Sequence, residues 1–208
     1  MTSIGAVPGV ASEDIAGSPD FRHLSSIAGI AIDLRYATGN NFVGRDLYSP
    51  FDCAWLHRDA AEALEKVVAW LARERPGITA LVLDALRPQR VQEQLWNALA
   101  GTGLQMYLAN PVRGSIHSYG MALDITLLDE AGVELDMGTG FDDMTELSHP
   151  ALEEGFLLAG QLTAQQVANR RLLRAAMLQA GFLGIRTEWW HFDCGDRELV
   201  RRTFRRVL

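Results

Sequence analysis

Apolar positions recur with the period of an α-helix in three segments of the chain. In residues 55–75 they return every three or four positions, which predicts an amphipathic helix that is stopped by Pro76-Gly77. Residues 88–100 form a second predicted helix, because proline stands in its first turn and glycine follows its end. A third helix is predicted to begin at the capping box Thr163-Ala-Gln-Gln166 and to end at Gly181.

Strand-like patterns lie between and after these helices. Residues 30–36 alternate between the two faces of a strand, whereas residues 78–83 are a continuous apolar run typical of a buried strand. Further strands are predicted over 121–128 and 183–193, with residues 133–135 returning as a hairpin partner of the first. The mixed order and the hairpin-like connections favour the α+β class: a single domain with a central, mainly antiparallel sheet flanked by helices.

Length and composition set the domain organisation. A chain of 208 residues with 48% apolar and 22% charged residues is ordinary for a globular protein and can build one sizeable core. Residues 1–25 are rich in Gly, Ser, Pro and Ala and show little periodicity, so we expect a flexible N-terminal arm there. The domain itself is expected over residues 26–208.

Net charge and the missing signals exclude several classes of partner. The formal net charge is -7, and four arginines near the C-terminus form the one notable basic cluster, so nucleic acid is not an expected partner. No secretory signal and no apolar run of about eighteen residues is found, so we expect no membrane partner. Two cysteines, Cys53 and Cys194, cannot build a disulfide framework. These features predict a cytoplasmic protein.

The residues that carry chemistry lie in two short stretches. Residues 115–124 read Ser-Ile-His-Ser-Tyr-Gly-Met-Ala-Leu-Asp, and residues 188–192 read Glu-Trp-Trp-His-Phe. His117, Asp124 and His191 are therefore candidate metal ligands, and two imidazoles with one carboxylate leave a fourth tetrahedral position for water, as in hydrolytic zinc sites. His117 and Asp124 are seven residues apart, and Glu188 and His191 are three apart. Both separations are odd, so in a regular strand the two residues of each pair would point to opposite faces. We expect His117 in a loop before its strand and a bulge or strand end at His191.

This pattern also resembles a known family. Ser-x-His-x-x-Gly-x-Ala-x-Asp followed by Glu-Trp-Trp-His is similar to D-alanyl-D-alanine dipeptidases of the VanX type, which are zinc peptidases related to D-Ala-D-Ala carboxypeptidases and to the hedgehog domain. The resemblance runs in one order from about residue 30 to 193 and includes four further blocks: Asp33–Thr38 with Asn41-Phe42 and Gly44, Asp84–Pro88, Asp136–Asp142 with Ser148-His149, and Asn169–Arg171 with Gly181-Phe182.

The resemblance implies one Zn²⁺ per chain, bound by His117, Asp124 and His191. It implies that Glu188 acts as general base towards water and then as general acid towards the leaving amine. Arg87 would stabilise the oxyanion of the tetrahedral intermediate. Two alternatives stay open from the residues alone: Glu188 could instead orient a histidine ligand, and Arg87 could form a structural salt bridge, for instance with Asp84.

Recognition of a free dipeptide needs an anion at one end of the site and donors at the other. By resemblance, Asp142 would bind the ammonium group with help from the Tyr36 hydroxyl, and Ser115 would donate to the carboxylate. The alternatives are that Asp142 caps a turn, that Tyr36 belongs to the core, and that Ser115 orients the loop of His117.

The expected reaction is zinc-dependent hydrolysis of D-Ala-D-Ala to two D-alanines. A D,D-carboxypeptidase acting on peptidoglycan precursors and a non-catalytic, zinc-stabilised binding module are the alternatives. The expected partner is the small dipeptide, a homodimer stays open, and the biological purpose could be glycopeptide resistance or nutrient salvage.

Two features depart from the family pattern. The chain has Ala85-Leu86 where the family usually has Gly-Tyr before Arg-Pro. The connection between Arg87 and Ser115 is shorter than is common. If that connection helps to roof the site, the cavity would be more open and less restricted to dipeptides.

Overall fold

The computed structural model describes residues 7–208. Within this range the chain forms seven short strands and five α-helices. The strands are β1 (Phe21–His23), β2 (Ile30–Ile32), β3 (Trp55–His57), β4 (Thr79–Asp84), β5 (Ala122–Leu128), β6 (Phe182–Gly184) and β7 (His191–Cys194). The helices are α1 (Arg58–Glu74), α2 (Gln89–Ala98), α3 (Glu153–Leu158), α4 (Ala164–Gln179) and α5 (Arg197–Thr203).

A five-stranded sheet with the order β2-β4-β5-β7-β6 forms the centre of the fold. Strand β2 pairs parallel to β4, and the other three pairings are antiparallel. Strands β1 and β3 form a separate two-stranded antiparallel ribbon. The prediction of an α+β domain with a mainly antiparallel central sheet is therefore confirmed.

Helices α1 and α4 pack against each other and cover the core. In α1 the buried positions follow the helical period, so one face carries the apolar contacts and the other carries charge. The capping box predicted for α4 is present, since the Thr163 hydroxyl accepts from the Gln166 amide and the Gln166 side chain accepts from the Thr163 amide. Val167, Leu173 and Met177 are buried along α4, as predicted.

The register of the central strands brings candidate site residues together. Asp124 of β5 lies directly opposite His191 of β7, so their side chains share one face of the sheet. An irregularity in β4 between Val82 and Asp84 places Asp84 opposite Asp124. Such a bulge turns side chains at a strand end and is common beside active sites.

Part of the N-terminal segment, for which we expected a flexible arm, packs on the domain. Residues 1–6 of that arm lie outside the described residues, but Val10 is buried and forms an isolated bridge with Val207, and β1 pairs with β3. These partners are distant in sequence, so periodicity within the segment could not predict them. Residues 55–57, which we predicted to be helical, form strand β3 of this ribbon, and the helix begins at Arg58.

The last predicted strand, 183–193, is in fact a hairpin. Strands β6 and β7 pair antiparallel, and residues 185–190 leave the sheet between them. Residues 133–135 contribute only an isolated bridge between Leu128 and Glu134, and helices α3 and α5 were not predicted. Both missed helices have fewer than eight residues and too little apolar periodicity to stand out. No helix within residues 7–208 is long and apolar enough to cross a bilayer.

Candidate functional site

His117 lies on a short 3₁₀ turn, Ile116–Tyr119, immediately before β5. Gly120 ends the turn with φ 65°, in the left-handed region that glycine favours. A Cβ on Gly120 would lie 2.6 Å from the His57 amide nitrogen, so a side chain has no room there. The turn is thus a tight connection that aims the imidazole at the start of β5, where sequence spacing had predicted a loop.

Three potential ligand atoms converge at this point. His117 Nε2 lies 3.1 Å from His191 Nδ1, and Asp124 Oδ1 lies 3.0 Å from His191 Nδ1 and 3.4 Å from His117 Nε2. In tetrahedral zinc sites with bonds of about 2.0–2.1 Å to nitrogen and oxygen, neighbouring ligand atoms stand about 3.3 Å apart. The triangle has the dimensions of one face of such a site, and the three residues are buried or nearly so.

The outer nitrogens of both imidazoles are already used. His117 Nδ1 lies 2.8 Å from the Ala85 carbonyl oxygen, so this nitrogen carries the proton and donates it. His191 Nε2 lies 3.0 Å from Asp193 Oδ1 and donates in the same way. When both rings are neutral, as a metal ion requires, their inner nitrogens are acceptors that face each other and a carboxylate, an arrangement that a cation resolves. The donor set therefore fits a zinc ion.

The charges of the three candidate ligands also favour a bound cation. Burial alone would raise the pKa of Asp124, but the two neighbouring imidazoles outweigh burial and hold its pKa below the ordinary value. Burial lowers the pKa of His191, yet Asp193 and Asp124 outweigh it and raise this pKa to about 10. The carboxylates thus make the site a place of negative potential, which favours any positive charge that enters it, a proton or a metal ion.

Glu188 lies in the segment between β6 and β7 and lines the same cavity. Its neighbour Trp189 is fixed, because the indole Nε1 donates to Thr139 Oγ1 at 2.9 Å and the ring packs edge-on against Trp190. Burial, reinforced by Asp124 and opposed by His191, raises the Glu188 pKa to about 7. A carboxylate that titrates near neutrality can both accept and return a proton at physiological pH.

Arg87 follows β4 and is held on several sides. Its Nε and Nη2 contact Asp84 Oδ2 at 2.8 and 2.6 Å, Nη1 donates to Gln92 Oε1 at 3.1 Å, and Nη2 lies 3.2 Å from Asp124 Oδ2. The guanidinium also lies over the Tyr36 ring. The salt bridge with Asp84 therefore exists, and it fixes a guanidinium that still lines the cavity beside Asp124.

Asp142 and Tyr36 form a second polar contact in the cavity. The Tyr36 hydroxyl lies 3.0 and 2.9 Å from the two carboxylate oxygens of Asp142. Asp142 has φ 61°, an unusual value for a residue with a side chain. Burial, together with repulsion from Asp124, raises its pKa well above the ordinary value. A cation bound beside Asp142 would offset this unfavourable burial of charge.

One cavity of about 780 Å³ unites these groups. It is lined by the eight side chains that the sequence singled out: Tyr36, Arg87, Ser115, His117, Asp124, Asp142, Glu188 and His191. Part of its wall comes from the connection 101–114, including Met106 and Tyr107, and the Tyr107 hydroxyl lies 3.0 Å from His149 Nε2. The connection between Arg87 and Ser115, which we expected to be short for the family, therefore lines the site.

Three supporting residues were missed or undervalued by the sequence reasoning. Asp193 orients His191, and Gln92 with Asp84 orients Arg87. For Asp193 a signal was present: residues two apart in a strand point to the same face, so His-x-Asp predicts contact. For Gln92 there was none, because its contact with Arg87 depends on how α2 docks beside β4.

Comparison with known proteins adds an independent line of evidence. A family model described as D-Ala-D-Ala dipeptidase, of the M15 peptidases, matches residues 20–207. The "D-alanyl-D-alanine dipeptidase" of Escherichia coli is 41% identical over 164 residues, covering 79% of this chain and 78% of the relative. That of Enterococcus faecium is 32% identical over 191 residues, covering 82% and 88%. Among solved structures, the LdcB LD-carboxypeptidase matches with a TM-score of 0.48 and 16% identity over 88% of this chain and 72% of that chain.

Proposed function

The chain belongs to the D-Ala-D-Ala dipeptidase family of M15 peptidases, and from this premise we propose that it hydrolyses D-Ala-D-Ala to two D-alanines with zinc as cofactor. Family membership makes it a peptidase, so the non-catalytic binding module is not retained. One observation carries the finer proposal. A single cavity holds a ligand triangle, a carboxylate that titrates near neutrality, and polar anchors suited to both ends of a small zwitterion.

His117, Asp124 and His191 would hold the ion. When bound, zinc supplies Lewis acidity, which lowers the pKa of a water and polarises the scissile carbonyl. Asp193 and the Ala85 carbonyl oxygen keep both imidazoles in the tautomer that the ion requires. These hydrogen bonds fix the ring orientations before any ligand binds.

Glu188 moves the proton. Its carboxylate accepts a proton from the attacking water and returns it to the nitrogen of the leaving D-alanine, which departs as an amine. A pKa raised to about 7 by burial suits both halves of this cycle. The packed Trp189 and Trp190 hold the segment that carries the carboxylate and exclude bulk solvent from one side.

Arg87 stabilises the negative charge that develops on the carbonyl oxygen. Its orientation is fixed by Asp84 and Gln92, so no reorganisation is needed when the charge appears. A preorganised donor of this kind contributes about 3–4 kcal/mol to lowering a barrier.

Asp142 and Tyr36 recognise the ammonium group, and Ser115 donates to the carboxylate. Asp142 forms no salt bridge within residues 7–208, and burial raises its pKa well above the ordinary value. A free ammonium supplies the missing charge, whereas an acylated amine does not. The site therefore favours a free dipeptide over the peptidoglycan precursor that a D,D-carboxypeptidase trims.

The direct test is a substrate comparison. We expect release of D-alanine from D-Ala-D-Ala to exceed release from N-acetyl-D-Ala-D-Ala by about 100-fold in kcat/KM, because the acylated compound leaves the buried Asp142 without a partner. L-Ala-L-Ala serves as the stereochemical control. Faster cleavage of the acylated compound would reverse the order of the two candidate functions and favour the carboxypeptidase.

A second prediction concerns Asp142 itself. Replacing Asp142→Asn is expected to lower kcat/KM for D-Ala-D-Ala by about 30-fold or more, since a buried charge pair with the substrate is lost. The kcat/KM for the acylated compound should change little, so the ratio of kcat/KM between the free and the acylated dipeptide should fall. Asp143→Asn is the matched control, because Asp143 is adjacent but bonds to Thr145 instead of lining the cavity. An unchanged preference in Asp142→Asn would contradict the assigned role.

The cytoplasm is the compartment we propose. Both cysteines are free, Cys53 buried and Cys194 partly exposed, which fits a reducing environment. In that compartment the reaction would drain the dipeptide before it enters the cell wall, or recover D-alanine from it.

A further inference from the structure

Three arginines, Arg113, Arg197 and Arg201, line the cavity. Arg197 and Arg201 lie on α5, which packs against the Ile116–Tyr119 turn that carries His117. Arg201 is the least exposed of the three, with 13% of its side chain accessible against 47% for Arg197 and 65% for Arg113. A partly buried guanidinium at a cavity wall is stabilised by anionic partners.

Arg201 is held in a defined orientation. Its Nε donates to the carbonyl oxygen of Gly114, the residue before Ser115, at 3.1 Å. Its Nη1 donates to Glu198 Oε1 at 2.8 Å. Among the hydrogen bonds between residues of the described range, Nη2 takes part in none. The side chain is therefore anchored on one edge and keeps spare donors on the other.

The charge balance around Arg201 is incomplete. Burial lowers its pKa, and repulsion from Arg113 and Arg197 acts in the same direction. The opposing carboxylate, Glu198, is shared with Arg113 and is itself mostly exposed. A second anion beside Arg201 would therefore be stabilised electrostatically, and the cavity is the side from which it can approach.

Arg201 and Tyr36, which we propose helps to bind the ammonium group, follow strands in opposite halves of the sheet. Tyr36 follows β2, whereas α5 follows β7, and the two strands lie on opposite sides of β5, which carries the Asp124 ligand. Ser115 contributes a hydroxyl that bonds to no described group and lines the cavity beside the Arg201 anchor at Gly114. Tyr36 and Arg201 therefore reach the cavity from segments on opposite sides of the strand that carries Asp124.

We propose that Arg201, together with Ser115, binds the C-terminal carboxylate of the substrate and makes the enzyme selective for a free C-terminus. The inference rests on the proposed dipeptidase function and adds a specificity-determining residue to it. A neutral hydroxyl alone leaves a bound carboxylate without its counter-charge, whereas a guanidinium supplies charge and directed donors together.

The test compares a substrate that has the carboxylate with one that lacks it. In Arg201→Met, we expect KM for D-Ala-D-Ala to rise by about 10- to 100-fold with a much smaller change in kcat. Kinetics on D-Ala-D-alaninamide should stay within about threefold of the unsubstituted enzyme, because its terminal amide makes no ion pair. Arg201→Lys should recover part of the loss. Arg202→Met is the matched control, since Arg202 lies next to Arg201 on α5 but is exposed and outside the cavity.

The outcomes separate three situations. Equal losses on the acid and the amide would mean that Arg201 only supports the fold through Gly114 and Glu198, and would overturn the inference. If the unsubstituted enzyme releases no D-alanine from either compound, the proposed function fails instead. Calorimetric binding of D-Ala-D-Ala to zinc-loaded Glu188→Gln, with and without Arg201→Met, then still decides: a difference of about tenfold or more supports the inference, and equal or absent binding overturns it.

Discussion

Glu188→Gln is expected to lower kcat for D-Ala-D-Ala by a factor of about 10²–10⁴ while zinc stays bound. Glutamine keeps the shape and the burial of the side chain but cannot accept a proton from water. The effect should fall on kcat more than on KM, because the step that is lost occurs after substrate binding. The measurements are steady-state kinetics and the zinc content of the purified variant.

The control for this substitution is Glu154→Gln. Glu154 is an exposed residue of α3 that lies outside the cavity, so the same chemical change there should leave kcat intact. Unchanged turnover in Glu188→Gln would contradict the role of general base. Loss of zinc together with turnover would instead favour the alternative in which Glu188 orients a histidine ligand.

Metal removal should have the second large effect. We expect a chelator to reduce hydrolysis to background and added Zn²⁺ to restore it, because the ion that His117, Asp124 and His191 would hold supplies the Lewis acidity that activates the water. Stability should fall as well. A ligand present at about a thousand times its Kd stabilises the folded state by about 4 kcal/mol, which for a chain of this size corresponds to about 10 °C in Tm.

The experiment measures activity, bound zinc and Tm in the same samples. Mg²⁺ is a suitable control ion, since it prefers oxygen ligands in octahedral geometry and should restore neither activity nor Tm at a site with two imidazoles. Full activity in a sample whose zinc content is near zero would contradict the proposed cofactor.

Local sequence determined the parts of the fold that depend on neighbours along the chain. The capping box at Thr163 and the apolar period after it define α4, and both act over one or two turns. The continuous apolar run of β4 and the Pro88 entry to α2 are local signals of the same kind. Residue type likewise suggested the chemistry, because two imidazoles and a carboxylate beside a further carboxylate and a guanidinium are typical of metal-assisted hydrolysis.

The odd spacings were the most informative local signal at the site. They predicted that His117 lies in a loop before its strand and that a bulge or a strand end occurs at His191. The structure places His117 on a tight turn and His191 at the first residue of β7. That prediction was possible because side-chain direction alternates strictly in a strand, so a wrong parity must be absorbed by backbone irregularity.

Tertiary structure alone decided the rest, because the contacts involved join residues far apart in sequence. The register of β5 against β7 sets Asp124 opposite His191, and no local pattern fixes a register between strands 67 residues apart. The bridge of Val10 to Val207 and the pairing of β1 with β3 order a segment whose own composition suggested a flexible arm. Helix α5 packs against the turn that carries His117, and this contact places Arg201 in the wall of the cavity. Short-range propensity therefore predicted the longer helices and the residue types of the site, whereas long-range packing decided which charged side chains line the cavity.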